Sequence, residues 1–125
     1  MKLLFASQNQ HKIKEVSEII PAHFELLGLN ELNFNEEIPE TQDSIEGNAL
    51  QKARFIYDKF NLPCFADDTG LFIEALNGEP GIYSARWCKM YDLFPTNIEK
   101  ALFKLKGKEN RKAYFKTVIA FIDND

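Results

Sequence analysis

The stretch Phe65-Ala66-Asp67-Asp68-Thr69-Gly70-Leu71 decides how the rest of the sequence is interpreted. An apolar run over residues 62–66 has the length of a buried strand, and two adjacent carboxylates follow it directly. Functional groups of α/β proteins gather just past the carboxyl ends of such strands. The pattern predicts a core strand that ends in an acidic turn, with Asp67 or Asp68 facing a cleft, because side chains alternate along a strand. The alternative is a polar turn without function, since Asp, Thr and Gly are all turn formers.

Strand patterns recur on both sides of this stretch. Apolar runs predict strands over residues 2–6 and 23–29, and the longest run of aromatic and β-branched residues predicts one over residues 112–123. Apolar residues at helical spacing separate these runs. A chain of 125 residues with 45% hydrophobic content can fill one core. The sequence therefore predicts a single α/β domain over residues 1–125, with a mixed β-sheet flanked by helices.

Capping signals predict where the helices begin and end. The first helix is predicted to begin at Ser7 or Asn9 and to end at Pro21. A later helix is predicted to begin at Thr96 and to stop at Gly107. Its buried side is expected to carry four apolar residues: Ile98, Ala101, Leu102 and Leu105.

The helix between these two begins with the capping-box-like sequence Asp43-Ser44-Ile45-Glu46. Its apolar face is predicted to carry Ile45, Ala49, Ala53, Tyr57 and Phe60. Asn48 and Lys52 are four residues apart and share another face, from which both side chains can point at one site. Gly47 in the first turn costs up to ~1 kcal/mol relative to Ala, which indicates either a close approach or a tolerant surface position.

Two basic residues are candidate anion ligands. Lys12 falls in the first turn of the first helix, where an ammonium opposes the helix dipole unless an anion is near. A phosphate there would meet the ammonium and the free backbone N–H groups, whereas the alternative is an ordinary exposed lysine. Arg86 has no acidic partner nearby in the sequence, so it either packs on Trp87 or binds an anion.

Composition excludes several classes of protein. The formal charge of −4 and the pI of about 5.2 argue against general nucleic-acid binding. No stretch approaches the roughly 20 apolar residues of a membrane span, and the amino-terminal apolar run is too short for a signal peptide, so a cytoplasmic protein is expected. Cys64 and Cys88 lack partners at metal-ligand spacing, and Cys64 is expected in the core. Residues 31–46 hold six acidic residues and no basic one, which suits a divalent cation.

Three motifs follow one another along the chain. The first is Ala6-Ser7-Gln8-Asn9-Gln10-His11-Lys12. The second is Glu40-Thr41 with Ser44-Ile45-Glu46-Gly47-Asn48-Ala49 and Lys52-Ala53. The third is Ala66-Asp67-Asp68-Thr69-Gly70-Leu71 with Pro80-Gly81-Ile82-Tyr83-Ser84-Ala85-Arg86. In sequence, order and separation they resemble the signatures of the inosine/xanthosine triphosphate pyrophosphatase family, whose members hydrolyse non-canonical purine nucleoside triphosphates to the monophosphate and pyrophosphate.

The resemblance implies an ITPase-like fold, the type that is shared with Maf proteins, and a role for each motif. It implies that Glu40 and Asp68 ligate Mg²⁺ and that Asp68 also activates water, with Asp67 behind it. The implied substrate-binding residues are Ser7, Gln8, Asn9, Gln10, His11, Lys12, Lys52, Thr69 and Arg86. These roles are coherent, because a hard cation prefers carboxylate oxygens and phosphoryl transfer needs positive charge around the developing negative charge.

Family members continue into another lobe, where a Phe-Gly-Tyr-Asp segment and a Ser-His-Arg segment grip the base. Neither segment occurs in this sequence. The chain is therefore expected to carry the phosphate and metal half of the fold, truncated at its C-terminal side. The strand over residues 112–123 is then expected to leave an unpaired edge or an apolar surface. Pairing with a second copy would cover it, so a homodimer is the predicted assembly.

The predicted function is Mg²⁺-dependent hydrolysis of ITP, dITP and XTP, with a purine nucleoside triphosphate as the partner and neither nucleic acid nor membrane. The alternative is a fragment that binds metal and phosphate, or self-associates, with little or no turnover. A third candidate is a related pyrophosphatase of the septum-inhibitor type. Its loop usually resembles Ser-x-Ser-Pro-Arg-Arg, which residues 7–12 do not match.

Overall fold

The computed structural model describes residues 1–84, 87 and 96–123. The chain divides into two compact units, one comprising Met1–Asp68 with Val118–Asp125 and the other comprising Thr69–Thr117. The elements in chain order are β1 (Lys2–Phe5), α1 (Gln10–Ile19), β2 (Glu25–Gly28), a 3₁₀ turn (Leu29–Leu32), α2 (Ile45–Phe60), β3 (Cys64–Ile73), a 3₁₀ turn (Glu74–Leu76), β4 (Pro80–Gly81), α3 (Asn97–Lys104) and β5 (Ala113–Ile122). Helices accompany a sheet with both parallel and antiparallel pairs, which confirms the predicted fold class.

Parallel strands form the centre of the first unit. β1 lies between β2 and β3 and runs parallel to both, with Leu3 opposite Leu26 and Leu4 opposite Cys64. Strands with parallel neighbours are covered on both faces, which explains why β1 is an uninterrupted apolar run. Because Phe5, the last residue of β1, is opposite Phe65, the second residue of β3, the residues that follow β1 lie beside the middle of β3.

The core of the first unit packs α2 against this sheet. Its buried members are Leu4, Ala6, Leu29, Phe34, Ala53, Ile56, Cys64, Ala66 and Ile122. Phe34 meets the edges of Phe55 and Phe60, with ring centroids 6.3 and 5.9 Å away. Ile45 and Ala49 of α2 are also buried, whereas Tyr57 and Phe60 are only partly so. The apolar face predicted for this helix is therefore confirmed, and it fixes the direction in which the rest of α2 points.

Each predicted helix start coincides with a side-chain cap. Asn9, not Ser7, caps α1: its Oδ1 accepts hydrogen bonds from the backbone N–H groups of His11 and Lys12. The Ser44 hydroxyl accepts from the Gly47 N–H at the start of α2. The Thr96 hydroxyl caps α3 in the same way. Short polar side chains satisfy N–H groups that a helix cannot pair internally, which is why local sequence predicts these starts.

The predicted acidic turn at Asp67 and Asp68 is wrong. β3 runs without interruption from Cys64 to Ile73, through both carboxylates and through Thr69 and Gly70. Neighbouring strands on the sheet pair with its backbone, and lysines from other elements neutralise the two carboxylates, so the polar residues do not end the strand. The turn propensity of this stretch is overridden by contacts with distant parts of the chain.

In the second unit, β4 pairs antiparallel with β3, with Leu71 opposite Gly81 and Phe72 opposite Pro80. The Ser84 hydroxyl ties this hairpin together, because it accepts from the Leu71 N–H and donates to the Gly81 carbonyl.

The face predicted to be buried on α3 is wrong. Ile98 and Leu102 are mostly exposed, and the buried residue of the helix is Lys100. Its ammonium donates to the Trp87 carbonyl at 3.1 Å and lies 4.4 Å from the centre of the Trp87 ring. A cation on an aromatic face can be buried at modest cost, so this contact competes with burial of the aliphatic side chains. The helix ends at Lys104, and Gly107 follows with φ +79°.

β5 carries the exposed apolar surface that the sequence predicts. Phe115, Ile119 and Phe121 alternate along the strand, so they share one face, and each is more than half exposed. Across the described residues, no helix is both long and apolar enough to cross a membrane.

Cys64 lies at the first position of β3 and is fully buried, as predicted. Its thiol donates to the Ala53 carbonyl at 3.2 Å. Burial raises the pKa of the Cys64 thiol from 9.0 to about 11, because the thiolate would lose its hydration.

We expect this buried thiol to make the protein less stable at alkaline pH. The unfolded chain releases the proton above pH 9.0 while the folded chain keeps it until about pH 11, so the free energy of unfolding falls across that window. The contribution is about 2–3 kcal/mol. Urea unfolding of the parent and of Cys64→Ala between pH 8 and 11 tests this. The difference between the two proteins should shrink or reverse as pH rises, and a pH-independent difference would contradict it.

Candidate functional site

A polar cavity of about 260 Å³ lies in the first unit, where β1 ends and β3 continues. Its lining includes members of all three sequence motifs. The lining residues are Ala6, Ser7, Gln8, Asn9, Lys12, Glu37, Ile38, Glu40, Lys52 and Asp67. β1 ends at Phe5, which is opposite Phe65, so the loop after β1 lies beside the carboxylates of β3. The topology therefore brings together residues as far apart in the sequence as Ala6 and Asp67.

The loop between β1 and α1 is held by its own side chains. The Ser7 hydroxyl accepts from the Asn9 N–H at 3.1 Å, and the Gln8 amide donates to the Glu36 carbonyl at 3.0 Å. Asn9 then takes the N–H groups of His11 and Lys12. Two N–H groups of the first turn are thus already bonded to the cap, and the polar loop side chains themselves face the cavity.

Lys12 reaches across this loop to β3. Its Nζ lies 2.9 Å from Oδ2 of Asp67, and the lysine side chain is 41% exposed. An ammonium in the first turn of a helix is unfavourable unless an anion lies near it. Here the Asp67 carboxylate is that anion. The pair leaves much of the ammonium in contact with solvent in the cavity.

Lys52 joins two carboxylates. Its Nζ lies 2.9 Å from Oε1 of Glu40 and 3.7 Å from Oδ1 of Asp68, and its side chain is only 13% exposed. Glu40 comes from the loop before α2, Lys52 from α2 and Asp68 from β3. Glu40 and Asp68, whose implied role is metal binding, therefore converge on one point. The Lys52 ammonium occupies that point.

Side chains of α2 fasten the loop that carries Glu40. Gln51 binds Thr41 and Asn48 binds the Gln42 N–H, and Asn48 is almost fully buried. The prediction that Asn48 and Lys52 point together at one site is therefore wrong, because Asn48 holds backbone instead. Gly47 is a close approach, since a Cβ there would lie 2.8 Å from the Gln42 Cβ.

The charges of the cavity do not balance. The described residues in and beside the cavity supply four acidic groups, those of Glu37, Glu40, Asp67 and Asp68. They supply two ammonium groups, those of Lys12 and Lys52. The excess of negative charge and the supply of carboxylate oxygens suit a hard divalent cation. Within the part of the chain that the structure describes, no group of three His, Cys, Asp or Glu side chains has the geometry of a metal site.

The other predicted substrate residues are distributed differently. Gln10 and His11 are exposed in the first turn of α1. Thr69 belongs to the second unit, where its hydroxyl hydrogen-bonds the Thr117 hydroxyl at 2.8 Å. Arg86 lies outside the described residues. In the sequence, Glu37 is one member of the acidic run over residues 31–46, and no sequence pattern marks Ile38 as a residue of the site.

A family model and several known proteins match almost the whole of this chain. Residues 3–125 match the model of the Ham1 family. The chain is 49% identical over 119 residues to the dITP/XTP pyrophosphatase of Flavobacterium johnsoniae, covering 95% of this chain and 62% of that protein. It is 47% identical over 124 residues to the dITP/XTP pyrophosphatase of Porphyromonas gingivalis, covering 98% and 64%.

Solved structures extend the likeness to the fold. The Ham1 protein of Staphylococcus aureus superimposes with a TM-score of 0.85 at 38% identity, covering 98% of this chain and 64% of that one. A HAM1 protein from Coxiella burnetii superimposes with a TM-score of 0.85 at 32% identity, covering 99% and 64%. The chain thus spans less than two thirds of the length of these relatives. Because the family model matches nearly every residue, and the relatives bear the activity of the family that the motifs resemble, the chain belongs to the Ham1 family.

Proposed function

We propose that this protein takes part in the hydrolysis of non-canonical purine nucleoside triphosphates, dITP, XTP and ITP, to the monophosphate and pyrophosphate. The observation that carries the proposal is the convergence of Glu40 and Asp68 on Lys52 beside the loop that holds Lys12. The names of the relatives support dITP and XTP among these substrates. Free nucleotides are the expected substrate, so we propose that the protein acts in the cytoplasm.

Mg²⁺ is the proposed cofactor, with Glu40 and Asp68 as its protein ligands. The fit rests on the donor set: two carboxylates from different elements approach one point, and a cation, the Lys52 ammonium, is stable there. Bound Mg²⁺ would supply neutralisation of phosphate charge. The protein would contribute carboxylate oxygens on a firmly packed strand and on a loop that α2 holds in place.

The side chains of the cavity divide the remaining work. Lys12 and Lys52 would bind phosphate oxygens, and positive charge that is already in position stabilises the negative charge that grows during phosphoryl transfer. Asp67 would orient Lys12 through the 2.9 Å ion pair. Asp68 would accept a proton from the attacking water.

Further predicted substrate contacts complete this assignment. They are Ser7, Gln8 and Asn9 in the loop, Gln10 and His11 in the first turn of α1, and Thr69 and Arg86. The first three are supported by their place in the cavity wall.

Exchange of each carboxylate for an amide tests the assignment. We expect Asp68→Asn to lower Mg²⁺-dependent pyrophosphate release from dITP, XTP or ITP by about 100-fold or more, because a general base is lost. Asp67→Asn should cost about 10-fold or less, since it only loosens Lys12. Assays with EDTA and with GTP as a competing substrate serve as controls. A large loss at Asp67 with little loss at Asp68 would reverse the roles.

Removal of Lys52 should have opposite effects on metal and on phosphate. The ammonium and a divalent cation compete for Glu40 and Asp68, so Lys52→Met should strengthen Mg²⁺ binding without nucleotide, on the order of 10-fold, and weaken pyrophosphate binding. Isothermal titration with each ligand separately measures both changes. Lys59→Met is the control for the loss of one positive charge from α2, because Lys59 pairs with Glu36 and neither residue lines the cavity. Weaker Mg²⁺ binding in the Lys52 variant would mean that the lysine positions the carboxylates rather than competing with the metal.

We also propose that the chain forms a homodimer, which the exposed face of β5 supports. Phe115, Ile119 and Phe121 form an apolar row that a second copy can cover. Light scattering should then give twice the 14.4 kDa of one chain, and Ile119→Thr with Phe121→Thr should give the mass of a single chain with little change in Tm. A parent protein that remains monomeric at high concentration would contradict the proposal.

A further inference from the structure

Glu40 lies on a segment that regular secondary structure does not hold. Residues 33–44 contain neither helix nor strand, yet the Glu40 carboxylate reaches Lys52 at 2.9 Å. A metal ligand must be kept within about 0.5 Å of its productive position. The contacts that fix this part of the loop therefore bear directly on the site.

Gln51 makes two hydrogen bonds to the residue after Glu40. Its Oε1 accepts from the Thr41 backbone N–H at 2.8 Å, and its Nε2 donates to the Thr41 hydroxyl at 2.8 Å. The Thr41 N–H belongs to the same rigid peptide plane as the Glu40 carbonyl. One bond holds the N–H of that plane and the other holds the Thr41 side chain, so together they fix Thr41 against α2 and limit where the Glu40 side chain can go.

Asn48, one turn earlier on α2, makes a single bond of the same kind to the next residue of the loop. Its Oδ1 accepts from the Gln42 N–H at 2.9 Å. Asn48 and Gln51 are three residues apart, so they lie on the same side of the helix as each other, and Lys52 follows directly. Successive N–H groups of the loop, at Thr41 and Gln42, are thus bonded to one helix that also supplies the partner of Glu40.

We propose that Gln51 is a positioning residue, whose two-bond clamp on Thr41 holds the Glu40 carboxylate in place for the divalent cation. The identity of that ligand rests on the proposed function, whereas the clamp rests on the hydrogen bonds alone. Gln51 touches neither metal nor substrate in this assignment. Groups that orient a metal ligand are commonly worth 10- to 100-fold in metal affinity.

The test compares Gln51→Leu, which removes both bonds, with two changes at Thr41. Thr41→Val removes only the bond to the hydroxyl, and Thr41→Ser retains it. Leu50→Ala is the control for the helix, because Leu50 is an exposed neighbour of Gln51 on α2. Mn²⁺ is the probe, and its free signal in electron paramagnetic resonance gives the affinity without any turnover. Amide exchange at Thr41 and the Tm of each variant are measured alongside.

We expect Gln51→Leu to weaken Mn²⁺ binding about 10-fold and Thr41→Val about 3-fold, with Thr41→Ser close to the parent. Adding Thr41→Val to Gln51→Leu should cost little more, because the hydroxyl has then already lost its partner. Thr41 exchange should be faster in Gln51→Leu and unchanged in Leu50→Ala. In assays, the Mg²⁺ concentration for half-maximal rate should rise while kcat at saturating Mg²⁺ stays near that of the parent.

Two failures can be told apart. If Asp68→Asn loses Mn²⁺ but Gln51→Leu binds it as tightly as Leu50→Ala, the positioning role is overturned and the metal site stands. If the parent protein and Asp68→Asn bind Mn²⁺ equally, the proposed metal site is overturned, and the role of Gln51 falls with it even where Thr41 exchange responds.

Discussion

The ammonium of Lys52 lies between Glu40 and Asp68, and the arrangement of the first unit depends on that contact. Two carboxylates that converge in a partly buried space repel each other, and a cation between them removes the repulsion. The three residues come from a helix, a loop and a strand, so one charge ties three parts of the chain together. The helix is held in turn by Ile45 and Ala49, which are buried.

Features that depend on neighbours in the sequence could be predicted from the sequence. The starts of the helices at Asn9, Ser44 and Thr96 follow from the chemistry of a capping oxygen, which needs only the next three residues. Strands β1, β2 and β5 lie within two residues of their predicted bounds, because an apolar run between polar segments favours a buried strand. The first-turn position of Lys12, the helical spacing of Lys52 and the motifs that contain them point to these two lysines, and both line one cavity.

Features that depend on partners distant in the sequence could not be predicted from it. β3 continues through Asp67 and Asp68 because lysines 55 and 16 positions away neutralise them, and a local pattern cannot contain that information. Lys100 is buried because its ammonium contacts the ring of Trp87. Hydropathy alone ranks lysine among the residues least often buried. Asn48 bonds the Gln42 backbone N–H for a similar reason, since its almost fully buried amide needs a hydrogen-bond partner.

The cap on α1 has a consequence for which anions the loop can retain. Helix starts usually attract anions through free N–H groups, but here the Asn9 oxygen already holds those of His11 and Lys12. An anion that bound there would have to displace a hydrogen bond for each one it gained. A small monoanion would therefore gain little binding free energy there. A chain of linked phosphates can contact several side chains at once, and it loses translational entropy only once. If the loop binds phosphate as proposed, the Asn9 cap favours a chain of linked phosphates over a single one.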